Sequence, residues 1–317
     1  MTTTPSAADN PPLFSVVIAT YNYGHLIERT IKSLSAQSCQ DFELIVVDDG
    51  STDDTRQRLS FHERPLRYFF QDNRGQSAAC NLGISKANGR FIYILDSDDE
   101  LLPEALEFFS QAIARDGEAA TSNLYYGGYV SVSESGTERV RVSRDAPSTN
   151  AASLRAFLNK KLIGLKHGGF TLPREAFEKI RYAEDVRQGT DIVIIGQALA
   201  FYKPVNIGKI VLRSHEHPQR VRKQLDRILS ASMRPVEALF DPTVMSSDLM
   251  RLKPLYAGRR LRSIARQLYL NGHYQAALEH YQAALRTSPS SMMDLGSIAK
   301  MLKALVKARQ TNSRPTP

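Results

Sequence analysis

Three carboxylates stand within four residues at Asp96-Ser97-Asp98-Asp99, directly after the apolar run Phe91-Ile92-Tyr93-Ile94-Leu95. The run is short, aromatic and β-branched, and it follows the turn pair Asn88-Gly89, so it reads as a buried strand. On extended backbone, residues two apart share one side, which lets Asp96 and Asp98 converge on a hard divalent cation that prefers oxygen ligands. The same letters also suit an ordinary turn, because Asp and Ser are common turn formers. Two more residues with chemical potential hold equivalent places. Tyr21 follows the β-rich run Leu13 to Ala19, and Asp49 follows the run Phe42 to Val47.

Positioning these residues requires strands that end together. Each run leads into a helical pattern: Ile27, Ile31 and Leu34 recur at helical spacing, Gln76 to Ala87 is alanine-rich, and Pro103 suits a first helical turn. Ser51 or Thr52 stands where a helix cap is expected, and Leu66 to Phe70 reads as a further strand. Strand and helix alternating over short connections predict an α/β fold with a mostly parallel sheet and helices on both faces. Ligands then bind at the carboxyl ends of the strands, where Tyr21, Asp49 and Asp96-Asp98 would meet. The first strand does not lead into Gly-x-Gly-x-x-Gly and the chain has no P-loop, so neither a dinucleotide fingerprint nor a P-loop accounts for the crevice. Beyond Gly117, Tyr125 to Val132 and Arg139 to Ser143 predict a hairpin around Glu134-Ser135-Gly136. Leu154 to Leu158, Pro173 to Ile180 and Ile192 to Ala200 read as helices, and Val205 to Leu212 as a late strand.

The stretch Phe14 to Glu107, and more loosely on to His217, resembles the family-2 glycosyltransferases of the GT-A fold. The resemblance is carried by Ala19-Thr20-Tyr21-Asn22, Asp48-Asp49, Asn73-Arg74-Gly75, Asn81-x-Gly83 and Leu95-Asp96-Ser97-Asp98-Asp99. It implies a metal-dependent, inverting transfer of a sugar from a nucleotide-diphosphate sugar, a UDP-sugar first among the candidates. The acceptor would be a hydroxyl of a glycan or lipid-linked molecule, in cell-surface glycan assembly (lipopolysaccharide, capsule or exopolysaccharide). It further implies that Tyr21 stacks on the base with Thr20 and Asn22 beside it in the nucleotide-sugar site, that Asp49 hydrogen-bonds the base, and that Arg74 reaches a phosphate. Asp98 would coordinate Mg²⁺ or Mn²⁺, Asp96 would lie near the ribose or a metal-bound water and so serve both donor and metal, His215 or its neighbour His217 would add a third ligand, and Asp99 would be a support.

The family also places a base aspartate within Glu-Asp at the start of a helix. Glu184-Asp185 matches the letters but runs into Val-Arg-Gln-Gly, whereas Thr190-Asp191 opens an apolar helix with Thr190 as its cap. Asp191 is therefore preferred and Asp185 is the alternative. A non-catalytic scaffold or binding module built on a degenerate transferase domain is the competing function; the intact Tyr21, Asp49, Asp96 and Asp98 argue against it.

At 317 residues and 42% hydrophobic content, the chain can bury a large core and a smaller one. The expected division is a loose tail over 1–12, the GT-A domain over 13–221 and a basic helical region over 222–317. Residues 226 to 317 carry 14 Lys/Arg against 6 Asp/Glu, which equals the whole net charge of +8. Within this region Gly272-x-Tyr274, Ala277, Tyr281, Ala284-Leu285 and Pro289 resemble half of a tetratricopeptide repeat, a hairpin at about 256–289. Met292, Leu295, Ile298, Met301, Leu302, Leu305 and Val306 follow helical spacing among Lys300, Lys303, Lys307 and Arg309. Such a helix suits an anionic membrane surface or a protein partner, or else packs its stripe on the hairpin. The basic residues lack interleaved aromatics or a recognition motif, so nucleic acid is not an expected partner. Cys39 and Cys80 are too few for a disulfide framework, which favours a reducing, cytoplasmic setting. No apolar stretch approaches the roughly 18 residues of a membrane span, so any membrane contact is expected to be peripheral, at the inner face.

Overall fold

The computed structural model describes residues 10–60, 65–216, 225–292 and 295–312. The chain divides into two compact units, Met1–Pro218 and Gln219–Pro317.

The first unit opens with β1 (Phe14–Thr20), α1 (Gly24–Ser35), β2 (Phe42–Asp48), α2 (Thr55–Ser60), β3 (Arg67–Phe70), α3 (Gln76–Ser85) and β4 (Phe91–Asp96). It continues through β5 (Glu100–Leu101), α4 (Ala105–Asp116), β6 (Asn123–Val132), β7 (Glu138–Arg141), α5 (Asn150–Leu158) and β8 (Phe170–Pro173). α6 (Ala176–Lys179), α7 (Thr190–Phe201) and β9 (Lys203–His215) complete it.

The strands form one sheet in the order β3-β2-β1-β4-β8-β6-β9-β5, with β7 paired to β6. Its first four strands are parallel, and Thr20, Asp48 and Phe70 pair in register at their carboxyl ends. From β8 onward the sheet is mixed: β8 runs antiparallel to both β4 and β6, while β6 and β9 are parallel. Phe14, Val16, Ile18, Leu44, Val46, Tyr93 and Leu95 pack with Ile27, Ile31 and Leu34 of α1 and with Leu106, Phe109 and Ile113 of α4. On the other face, α3 seats Gly83 against Val17 and Val47. Helices therefore cover both faces of the parallel half.

Two local expectations are corrected. Pro173 to Ile180 is not a helix: Phe170–Pro173 is a strand and only Ala176–Lys179 is helical. A four-residue strand wholly buried between β4 and β6 shows no alternation that could reveal it. Ser51 and Thr52 do not cap α2. Asp53 accepts the Thr55 N–H at 3.1 Å, and the two hydroxyl residues are bonded to Asn22 instead.

The second unit contains α8 (Leu225–Ala231), α9 (Arg234–Leu239), α10 (Ser247–Met250), α11 (Lys253–Leu270), α12 (Tyr274–Thr287) and α13 (Leu295–Asn312). Helices α11 and α12 make a hairpin whose turn includes Gly272 at φ +83°. Ala277, Tyr281 and Ala284 lie buried in it, against Ile264, Ala265 and Leu268. The stripe on α13 divides. Met301 packs on the hairpin and Ala304 is buried, whereas Ile298, Leu302 and Val306 are exposed. The side chains of Met292, Leu295, Lys307 and Arg309 lie outside the description, as do residues 1–9 and His217. Among the described residues, no helix is long and apolar enough to cross a membrane.

Candidate active site

Parallel strands deliver the chemistry to one end of the sheet. Tyr21 follows β1 with 42% of its surface exposed. Its neighbour Asn22 has φ +55°, which Asn tolerates better than most residues. The Asn22 N–H donates to Ser51 Oγ at 2.9 Å, and its Oδ1 accepts the Thr52 N–H at 2.8 Å. The loop after β2 thus aims Tyr21. Thr20 Oγ1 is buried and has no hydrogen-bond partner among the described residues.

Asp49 is 4% exposed, and its oxygens accept Gln71 Nε2 at 2.6 Å, Arg74 N at 2.9 Å and Gly75 N at 2.7 Å. The carboxylate lies beneath the 71–75 loop and is engaged by its donors. Arg74 itself projects outward and pairs with Glu184 at 2.8 Å, a partner that an exposed arginine gives up at little cost.

One carboxylate oxygen from each of Asp96, Asp98 and Asp99 lies within 4.8 Å of the others. Helix α1 fixes this loop from behind: Thr30 Oγ1 donates to the carbonyls of Ser97 and Asp99, and Arg29 to that of Asp98. The three acids differ in their partners. Asp99 is fully buried and accepts Lys166 Nζ at 3.1 Å and the His215 N–H at 3.0 Å, which suits a support. Asp96 accepts His167 Nδ1 at 3.0 Å and Gln76 Nε2 at 3.1 Å. Hard oxygen donors this close together fit a divalent cation such as Mg²⁺ or Mn²⁺.

His215 is not part of that group. Its ring Nε2 pairs with Glu100, and burial together with the Arg29 charge lowers its pKa below the ordinary imidazole value. The antiparallel pairing of β9 with β5 accounts for this, because it seats the end of β9 beside the Glu100 strand.

Of the two base candidates, Asp185 is exposed in a turn, and Asp191 lies in the first turn of α7. The helix begins at Thr190, but its cap is Gly189 at φ +75°; Thr190 does not cap it and donates to Gln76 Oε1 at 3.2 Å. Gln76 thereby bridges Asp96 and the start of α7. The charge of Asp191 acts on both His167 and Tyr182.

His167 was not legible as a site residue. It is 2% exposed, with Nδ1 on Asp96 and Nε2 2.8 Å from the Tyr182 hydroxyl. Burial pulls its pKa down, but the charge and hydrogen bond of Asp96 outweigh that and hold it above the ordinary imidazole value. The signal in the sequence was a lysine and a histidine enclosed by glycines, in Gly164-Leu165-Lys166-His167-Gly168-Gly169.

An open α/β sheet with acids and an exposed aromatic at the carboxyl ends of its parallel strands defines a GT-A-like transferase domain. The family model described as glycosyl transferase family 2 matches residues 15–181, more than half of the chain, and the chain belongs to that family. Among curated relatives, a "GalNAc(5)-diNAcBac-PP-undecaprenol beta-1,3-glucosyltransferase" from Campylobacter jejuni is 40% identical over 105 residues, 32% of this chain and 34% of that protein. The succinoglycan biosynthesis protein ExoO from Rhizobium meliloti is 32% identical over 207 residues, 62% of this chain and 58% of that protein. The chain thus matches between a third and three fifths of the length of these relatives. Among solved structures, S. aureus TarS in complex with UDP superposes with a TM-score of 0.65 at 19% identity, over 96% of this chain and 93% of that one. That likeness concerns the fold.

Proposed function

We propose that the chain is a metal-dependent, inverting glycosyltransferase that moves a sugar from a nucleotide-diphosphate sugar to an acceptor hydroxyl. The observation that carries this reading is the clustering of Asp96, Asp98 and Asp99 at the end of β4, with Asp96 joined through Gln76 to the helix that bears Asp191. Tyr21 supplies an aromatic face for the base. Asp49 serves the donor through the loop that it holds, and Arg74 turns from Glu184 to a phosphate. UDP is the nucleotide proposed, in keeping with the complex named for TarS. The names of the relatives support a place in glycan assembly on a lipid-linked or polysaccharide acceptor.

In the transfer, the acceptor oxygen bonds to the anomeric carbon as the bond from that carbon to the diphosphate breaks, and its electron pair leaves with the diphosphate. Asp191 takes the hydroxyl proton from its place in the first turn of α7. Mg²⁺ or Mn²⁺ held by Asp98 and Asp96 would supply positive charge to the departing diphosphate. Asp98→Ala is expected to lower turnover about a thousandfold, as measured by release of nucleoside diphosphate from a panel of nucleotide sugars. Full turnover by this variant, or by the wild type in excess chelator, would sink the metal mechanism.

The second unit is proposed as a docking region at an anionic membrane surface on the cytoplasmic side, using the exposed Ile298, Leu302 and Val306 of α13 beside Lys300 and Lys303. The tetratricopeptide-like spacing belongs to this reading as a packed hairpin that carries α13. Leu302→Glu should reduce flotation of the full chain with anionic vesicles severalfold at low salt. Unchanged flotation would remove α13 as the anchor.

A further inference from the structure

Lys166 and His167 are consecutive, and each grips a different member of the acid motif. Lys166 donates from Nζ to Asp99 Oδ2 at 3.1 Å and to Ser214 Oγ at 2.6 Å, and it lies 5.2 Å from the centroid of the Tyr129 ring. His167 donates from Nδ1 to Asp96 Oδ1 at 3.0 Å and meets the Tyr182 hydroxyl on its other side. Tyr182 is tied in turn to α3, donating its N–H to Asn81 Oδ1 at 3.1 Å and accepting Asn81 Nδ2 at its carbonyl. The acids on either side of Asp98 are therefore held from one loop, and that loop also reaches the segment leading to Asp191.

The loop has little freedom to move. Gly168, at φ +72°, donates its N–H to Ile94 O at 2.7 Å, and its carbonyl accepts the Tyr93 hydroxyl at 2.5 Å. A Cβ at Gly164, at φ +97°, would fall 1.7 Å from the Gly127 carbonyl oxygen. Gly164 lets backbone approach backbone where a side chain could not fit, and a Cβ at Gly168 would fall 2.6 Å from the Leu212 side chain. Strand β4, which ends in the acids, thus carries the loop that grips them.

We propose that Lys166 and His167 are the positioning pair of the acid motif. His167 orients Asp96 toward the cation, while Lys166 compensates Asp99 and keeps it in a supporting role. The proposal rests on the metal-dependent reading above. It assigns opposite effects to two neighbouring residues. Loss of the His167 donor lets Asp96 rotate and weakens cation binding. Loss of the Lys166 charge makes the cluster more negative and releases Asp99, which strengthens cation binding but misplaces the ion for transfer. A role confined to packing would push both variants the same way.

The test is Mn²⁺ binding to the full chain, followed by electron paramagnetic resonance of the free ion, alongside donor turnover. His167→Leu should weaken Mn²⁺ about tenfold, and His167→Asn, which keeps an N–H for Asp96, should recover most of that loss. Lys166→Met should bind Mn²⁺ severalfold more tightly while its kcat falls about tenfold. Wild-type affinity and turnover in His167→Leu, no recovery in His167→Asn, or weaker Mn²⁺ binding by Lys166→Met would each overturn the pair. If the wild type binds Mn²⁺ and Asp98→Ala does not, such a result defeats the positioning pair alone. If the wild type binds no Mn²⁺, the metal-dependent reading falls and the pair falls with it.

Discussion

In the parallel half of the sheet, the candidate residues sit at or just after the ends of β1, β2 and β4, next to the strands that deliver them. In the half that begins at β8, His215 pairs with Glu100 of β5, Lys166 and His167 reach back to Asp99 and Asp96 after β4, and Asp191 comes from the start of α7. The first half presents the groups, and the second adds the lysine and histidine that hold two of the acids after β4. Asp49 and Asp96 make the contrast specific. Each is an aspartate at the end of a parallel strand, yet Asp49 is bonded by donors of the adjacent 71–75 loop, while Asp96 is bonded by His167 from a distant loop and by Gln76. An acid engaged by the backbone of the neighbouring loop shapes that loop. One held by side chains across the sheet can be oriented for a ligand.

The largest expected effect breaks the comparison if it goes the wrong way. If the second half supplies the base, Asp191→Asn should lower kcat about a hundredfold or more with donor binding nearly intact, and Asp185→Asn should do far less. A dead Asp185→Asn beside an active Asp191→Asn, in steady-state kinetics with a nucleotide sugar, would return the base to the exposed turn.

A smaller effect separates shaping from contact within the first half. Asp49→Ala removes the acceptor for two loop N–H groups, and urea unfolding should register a loss of about 2 kcal/mol. Tyr21→Ala should leave stability within about 0.5 kcal/mol but raise the donor KM severalfold, because only the stacking face is lost. Equal losses of stability in the two variants would mean that Tyr21 is a packing residue.

The smallest effect is expected at the amino ends of the strands, opposite the site. Glu43 accepts from Ser15 Oγ at 2.6 Å, from the N–H groups of Asn88 and Gly89, and from Arg67. Burial works to raise its pKa, but these bonds outweigh it and hold the carboxyl below its ordinary 4.5. The stability this contributes is present above that value and is lost as pH falls through the folded pKa. Glu43→Gln should cost about 1 kcal/mol at pH 7 with kcat unchanged, and chemical unfolding curves of the two proteins should converge on acidification. A gap that persists at low pH would assign the loss to packing.

The parallel half was legible because its signals are local. A strand of four to seven residues, a turn and a helix lie within one stretch of chain, and the residue that ends the strand is delivered to the crevice by parallel topology alone. Thus Asp96-Ser97-Asp98-Asp99, Tyr21 and the start of α7 at Thr190 could be placed from spacing and resemblance. What those residues bond to depends on contacts between segments separated by up to about a hundred residues, and no local period encodes that. His215 faces Glu100 because β9 pairs antiparallel with β5, Phe170–Pro173 is a strand because β4 and β6 flank it, and His167 meets Asp96 because glycines bring its loop against β4. Strand-end position along the chain was enough to bring these acids to the crevice. Whether each is held by a loop, by a lysine or by a histidine follows from contacts across the fold, because the energy of a buried carboxylate is set by the donors around it and not by its neighbours along the chain.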